Sequence, residues 1–330
     1  MDLSTAACPP VARGEGVLII RNALSGTAVL RADPGPTFAA RLPAAVVHEL
    51  AEGEDLAEAV AARMKGDDAP SVLGVYGGDG SVSRMAGLAR KYDVPLLVMP
   101  GGTFNHFARS IGLDDVDIAI DALEAGAGRT VTVLEVTADE DDPITVLNVV
   151  SVGTYPAFLE KRESHEPLGK WLGGLAAAGK ELRGATPVTI VRAGRRASVW
   201  SVFIGVGRND PDLVATMQRG TPDDGVLDIR IHHARGSRSR AITALAFGPR
   251  TVTVLRSLRL MPRDADLERL VLPSFDVAVR PPAGSPSVFV HDGELENRDP
   301  EGFTLRCVAV PSALRVYAPA PTAAEKPHSD

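Results

Sequence analysis

Residues 74–81 read GVYGGDGS, and residues 98–113 read VMPGGTFNHFARSIGL. Each stretch is an apolar run that ends on paired glycines and passes into a segment of helical spacing. A strand-to-helix turn without side chains leaves backbone N–H groups free to converge on an anion at the helix start. Asp79 stands in the first break, and Thr103 and Asn105 stand in the second. Two such turns in succession predict a phosphate-bearing ligand laid across the end of a parallel sheet, where open α/β sheets bind their ligands.

The surrounding pattern supports that sheet. Residues 16–22 (GVLIIRN), 71–78 (SVLGVYGG) and 94–102 (VPLLVMPGG) read as strands, and AAVVHEL at 44–50 fits a strand or part of a helix. Between them EDLAEAVAARMK and SVSRMAGLARKY carry apolar residues at helical spacing. DVDIAIDALEAG ends on Gly126 as a helix C-cap would. Strand–helix alternation up to about residue 128 implies a doubly wound α/β domain. From residue 129 to 318 the texture changes to short β-rich segments separated by Gly, Pro, Asp and Arg, which predicts an antiparallel sandwich or curled sheet. Two helical stretches, 167–183 and roughly 237–259, interrupt it, and the Pro- and Ala-rich tail 319–330 reads as disordered.

Bulk properties exclude several functions. A chain of 330 residues favours two domains over a single core. Thirty-five Lys and Arg against 42 Asp and Glu leave a net charge of −7, which argues against a nucleic-acid partner. Cys8 and Cys307 match no metal or redox spacing and suit a reducing cytosol. The opening MDLSTAACPPVARGEG lacks the form of a signal peptide, and no run of apolar residues is long enough to span a membrane. The expectation is a cytoplasmic protein that touches membranes at most peripherally.

With these residues in view, the chain resembles the diacylglycerol kinase catalytic-domain family, in its soluble bacterial lipid-kinase branch, from about residue 16 to 317. NALSG (22–26) is similar to the family's Asn-Pro-x-Ser-Gly, GGDGS (77–81) to its Gly-Gly-Asp-Gly-Thr, and PGGTFNHFAR (100–109) to its Pro-x-Gly-Thr-x-Asn-Asp-Phe-Ala-Arg. NVVSVGTYP, PDDGVLDI (222–229) and VHDGEL (290–295) resemble three further motifs, in the family's order. The resemblance implies an NAD-kinase-like nucleotide domain, a β-rich second domain, and a catalytic cleft between them. It also implies ATP-dependent phosphorylation of a lipid alcohol, with magnesium.

On that resemblance the nucleotide site takes in Asn22, Ser25, Gly77, Gly78, Gly80, Ser81, Gly102, Thr103 and Asn105. Asp79 holds the metal or orients the attacking hydroxyl, and Asp292 is the expected general base with Glu294 beside it. The resemblance further implies a structural magnesium at Asp223, Asp224 and Asp228, whose carboxylates and Gly turn suit a hard cation. A turn that merely starts a strand is the other reading of that segment.

Departures from the family pattern are equally legible. Ala23 replaces a proline, His106 an acidic residue, Thr132 an aspartate, and Ser83 and Arg84 an Asn-Glu pair. Losing the carboxylates at His106 and Thr132 from the network around the active site leaves a non-catalytic nucleotide- or lipid-binding protein as the rival reading. A kinase of a soluble substrate is a third. Leu168, Trp171, Leu172, Leu175 and Leu182 form a helical stripe that covers a core or faces lipid, and the basic stretch ARGSRSR (234–240) is a candidate for anionic headgroups. Homodimerisation is left open.

Overall fold

The computed structural model describes residues 8–21, 33–102, 105–153, 186–209, 223–234 and 267–320. The first part of the chain alternates strands and helices: β1 (Val17–Arg21), α1 (Gly35–Arg41), β2 (Val46–Glu49), α2 (Leu56–Met64), β3 (Val72–Gly77), α3 (Asp79–Lys91), β4 (Leu96–Pro100), α4 (His106–Ser110) and α5 (Val116–Ala125). The described remainder is all β: β5 (Gly128–Ala138), β6 (Ile144–Val146), β7 (Val149–Gly153), β8 (Val188–Arg192), β9 (Arg195–Val206), β10 (Leu227–His233), β11 (Leu267–Leu272), β12 (Ser274–Arg280), β13 (Val288–His291), β14 (Glu294–Asn297) and β15 (Phe303–Tyr317).

Strands β4, β3, β1 and β2 lie side by side and parallel. Their apolar runs are almost wholly buried because helices cover them, as parallel sheets require. AAVVHEL thus resolves as a strand, β2, at the sheet edge. Helix α3 buries Val82, Met85, Ala86 and Ala89, a spacing of three and four that makes one face. Its charges favour the macrodipole, with Asp79 in the first turn and Arg90 and Lys91 in the last. Helix α2 is capped by Asp55, whose carboxylate accepts from the amides of Ala57 and Glu58. Helix α5 ends on Gly126 at φ 66°, the left-handed C-cap anticipated from sequence.

The strands beyond β4 join the same hydrogen-bonded network, in the order β14-β13-β7-β9-β8-β12-β15-β4-β3-β1-β2, with β10 and β11 branching from β9, and β5 and β6 from β15. Two hydrophobic cores result. One lies around β1–β4 and their helices, and the other around β7, β9, β10, β12 and β13. Strands β5 and β15 pair along their length and pass from one core to the other. Val131 and Val133 belong to the first core and Leu134 and Val136 to the second. A register shift between Val310 and Leu314 bends β15, so that its end runs parallel to β4 at Val316 and Leu96. The two halves are therefore tied by a continuous ladder.

Strands β11 and β14 and helix α1 were not foreseen. LERLVL and ELEN interleave charged with apolar residues and lack the dense β-branched character that marks a strand in sequence. Both cysteines are free and buried, and burial pushes the Cys307 thiol up to about 12. The expected helical stretches at 167–183 and 237–259, with their leucine stripe, the basic segment 235–240 and residues 321–330 lie outside the described residues.

Candidate functional site

The two glycine turns leave the sheet side by side. Gly77 ends β3 opposite Pro100 of β4, and the Gly101 amide donates to the Gly77 carbonyl at 2.9 Å. The backbones are so close that a Cβ on Gly102 would stand 2.5 Å from the Gly78 Cα, and one on Gly101 would stand 2.9 Å from the Gly77 nitrogen. No side chain fits at either position. Gly78 differs: an added Cβ would meet only the Gly102 Cα, at 3.5 Å, and its φ of −85° is one that any residue adopts. The glycine there is required neither by the fold nor by a left-handed backbone. Its open side, at the N-terminus of a 13-residue helix, is the place where a ligand backbone or phosphate could approach.

Asp79 opens α3, and its carboxylate accepts from the Phe107 amide at 3.2 Å, which ties the first turn of α3 to that of α4. Asn105 sits in the left-handed region at φ 51° and is buried. Its side-chain oxygen accepts from the Gly102 amide and its NH₂ donates to the Gly102 carbonyl, both at 2.9 Å. This amide thus locks the second turn in place. Ser81 folds back beneath Gly77, with its Cβ 3.0 Å from where a Gly77 Cβ would lie. Asn22, Ser25 and Thr103 lie outside the described residues.

The far core supplies the opposing groups through the β13–β14 turn. Glu294 is exposed and reaches across to Gly80, where an added Cβ would lie 2.6 Å from its Oε1. Asp292 is 7% exposed and adopts φ 45°. Its Oδ2 accepts from the Ser83 hydroxyl and the Leu147 amide, each at 2.7 Å, and its Oδ1 accepts from the amides of Asn148 (2.9 Å) and Val149 (3.0 Å). Four donors fill the acceptor positions of one carboxylate. Sequence reading places Asp292 at this cleft, but it does not reveal the contact with Ser83, 209 residues away.

The third group of carboxylates is not assembled as expected. Asp223 pairs with buried Arg129 at 3.0 Å, and Asp224 pairs with Arg208 at 3.3 Å. Asp228, fully buried, accepts from Arg269 at 2.6 Å and from the Asn209 amide at 3.0 Å, with Arg230 at 3.6 Å. Among the described residues no group of three or more His, Cys, Asp or Glu side chains can hold a metal ion. The three carboxylates expected to hold magnesium, Asp223, Asp224 and Asp228, thus each face a guanidinium group, which supplies positive charge beside them. Arg129, Arg208 and Arg269 lie outside PDDGVLDI in the chain, so nothing local in that segment announces them.

Comparison with known proteins gives two kinds of match. Residues 16–136 match the model of the diacylglycerol kinase catalytic domain. The chain is similar in structure to the crystal structure of "a putative diacylglycerol kinase from Bacillus anthracis str. Sterne", with TM-score 0.58 and 18% identity, over 93% of this chain and 96% of that one. A second diacylglycerol kinase structure from the same organism matches with TM-score 0.54 and 16% identity, over 92% and 97%. At these identities the structures establish the fold. The segment that matches the diacylglycerol kinase catalytic domain, residues 16–136, contains both glycine turns.

Proposed function

We propose that the protein is an ATP-dependent lipid kinase that phosphorylates the hydroxyl of a diacylglycerol-like neutral lipid. The observation that carries this reading is the open side of Gly78 between two glycine turns, with Glu294 of the opposite core extended over Gly80. The backbone from Gly78 to Ser81 and the start of α3 offer N–H groups to the phosphates. A Cβ would fill this cradle, so the residues present fit a triphosphate. Asp79 and Glu294 are hard oxygen donors, and a nucleotide-bound magnesium needs only one or two carboxylates besides the phosphates. When bound, the ion neutralises phosphate charge.

In the transfer, the lipid hydroxyl oxygen bonds to the γ-phosphorus, the bond to the β,γ-bridging oxygen breaks, and the hydroxyl proton goes to a carboxylate. The hydrogen bonds of Asp292 leave it no lone pair for that proton. Glu294, exposed and at the cleft, is the proton acceptor in this reading, and Asp292 anchors the turn that carries it. Lipid access requires transient docking at a membrane surface. Among the described residues no helix is long and apolar enough to cross one.

The rival, a binder without catalysis, draws support from Thr132, which is fully buried where related chains carry a carboxylate. Incubation with labelled ATP, magnesium and a panel of dioleoylglycerol, ceramide and soluble alcohols separates the readings. Label in the acylglycerol supports the lipid kinase. Label only in a soluble alcohol replaces the substrate class. ATP binding with no transfer to any acceptor replaces the enzyme by the binder.

A further inference from the structure

We propose that Ser83, acting through Asp292, is a positioning residue that sets where Glu294 stands over the phosphate turn; this rests on the reading of Glu294 as proton acceptor. Ser83 lies one helical turn after Gly80 on α3 and is 3% exposed. Its oxygen is 2.7 Å from Asp292 Oδ2 and 3.1 Å from the Thr145 carbonyl. A hydroxyl has one proton to donate, and the shorter, charged partner takes it.

The remaining acceptor positions of Asp292 are occupied by three consecutive amides, Leu147 to Val149, and its own amide donates to the Val149 carbonyl at 3.0 Å. Asp292 holds a left-handed backbone at φ 45°, unusual for a residue with a side chain. Such a conformation persists where surrounding bonds over-determine it, and here five hydrogen bonds do so. The strained residue aims the turn, and Glu294 two positions on reaches back to Gly80. A closed circuit results: Gly80 to Ser83 along the helix, Ser83 to Asp292 across the cleft, Asp292 to Glu294 along the chain, and Glu294 to Gly80. It joins α3 of the first core to β13 of the second. Without the Ser83 proton, the carboxylate keeps only the amides of residues 147–149 and loses its bond to α3, and Glu294 loses its register against that helix.

The test compares wild type, Ser83→Ala and Ser83→Thr, each checked for cooperative thermal unfolding. Hydrogen exchange of residues 290–297 is read beside steady-state kinetics on ATP and dioleoylglycerol. The expected result for Ser83→Ala is faster exchange at 290–297 and a kcat lowered about 10- to 100-fold, the scale of a misplaced catalytic group, with the KM for ATP unchanged. Ser83→Thr, which keeps the hydroxyl, should restore slow exchange and most of kcat. Unchanged exchange at 290–297 in a folded Ser83→Ala protein overturns the proposal, as does a loss confined to KM for ATP. Should wild type transfer phosphate to no lipid, the kinase reading fails by itself, and the exchange measurement still decides whether Ser83 holds the turn.

Discussion

The turn at residues 77–80 and the turn at 223–228 both combine glycine with carboxylates, and they treat charge in opposite ways. Around Gly78 the protein leaves space, and Glu294 comes from the other core without an ion-pair partner among the described residues. Around Asp228 nothing is left over: each of the three carboxylates faces an arginine, and the deepest faces two. A pocket for an anionic ligand needs donors and room. A cation site needs uncompensated oxygens. Local sequence suggested a ligand at both turns, and the long-range partners distinguish them.

The sharpest contrast is in Glu294. Glu294→Gln removes the proposed proton acceptor but keeps the shape, and turnover should fall by about 10²- to 10⁴-fold with ATP affinity nearly unchanged. Steady-state kinetics and nucleotide titration measure the pair, and near-normal turnover would return the role to another group. At the other turn the effect falls on stability. Arg269→Ala strips the closest guanidinium from a carboxylate with no exposure, and breaking such a buried pair costs about 3 kcal/mol. Arg230 at 3.6 Å holds that figure at the lower end of the usual range. Chemical denaturation reads it directly, and a loss below about 1 kcal/mol would mean that Arg269 is an ordinary surface pair.

How much of this was legible in the sequence depends on range. The parallel strands and the α3 and α5 helices follow from apolar periodicity, and Gly126 from its place after a helix. The glycine pairs stood out in the sequence, although their reason is not uniform: Gly101 and Gly102 allow close backbone contact with Gly77 and Gly78, whereas Gly78 faces open space. Asp292 and Glu294 were singled out through their motif, but which carboxylate faces outward depends on the amides of residues 147–149 and on Ser83, far away in the chain. The arginine partners of Asp223, Asp224 and Asp228 were hidden for the same reason, since Arg129, Arg208 and Arg269 become neighbours only through the fold.

Metal removal tests the arginine side further. Without nucleotide, chelation should leave the thermal midpoint unchanged, and any rise on adding magnesium should persist in Asp224→Asn. A magnesium-dependent rise that vanishes in that variant would show an ion at this turn. A smaller effect than at Arg269 comes from Asp55, a half-buried carboxylate engaged with a helix start. Hydrogen bonds from Glu58 and Arg84 hold its pKa below the ordinary 3.8. Its contribution is therefore present above that value and lost as pH falls below it through the folded-state value. Asp55→Ala should cost about 1 kcal/mol at neutral pH, and the difference from wild type should shrink below pH 3.8.

The central claim, that the paired glycine turns cradle phosphates, is tested most directly by ATP binding to Gly78→Val. The backbone at Gly78 is extended and its Cβ direction is open save for Gly102 at 3.5 Å, so the variant should unfold at nearly the wild-type temperature. The added side chain would occupy the space assigned to the phosphates, and isothermal titration should show ATP affinity reduced beyond detection. A folded Gly78→Val protein that binds ATP as tightly as wild type would contradict the account.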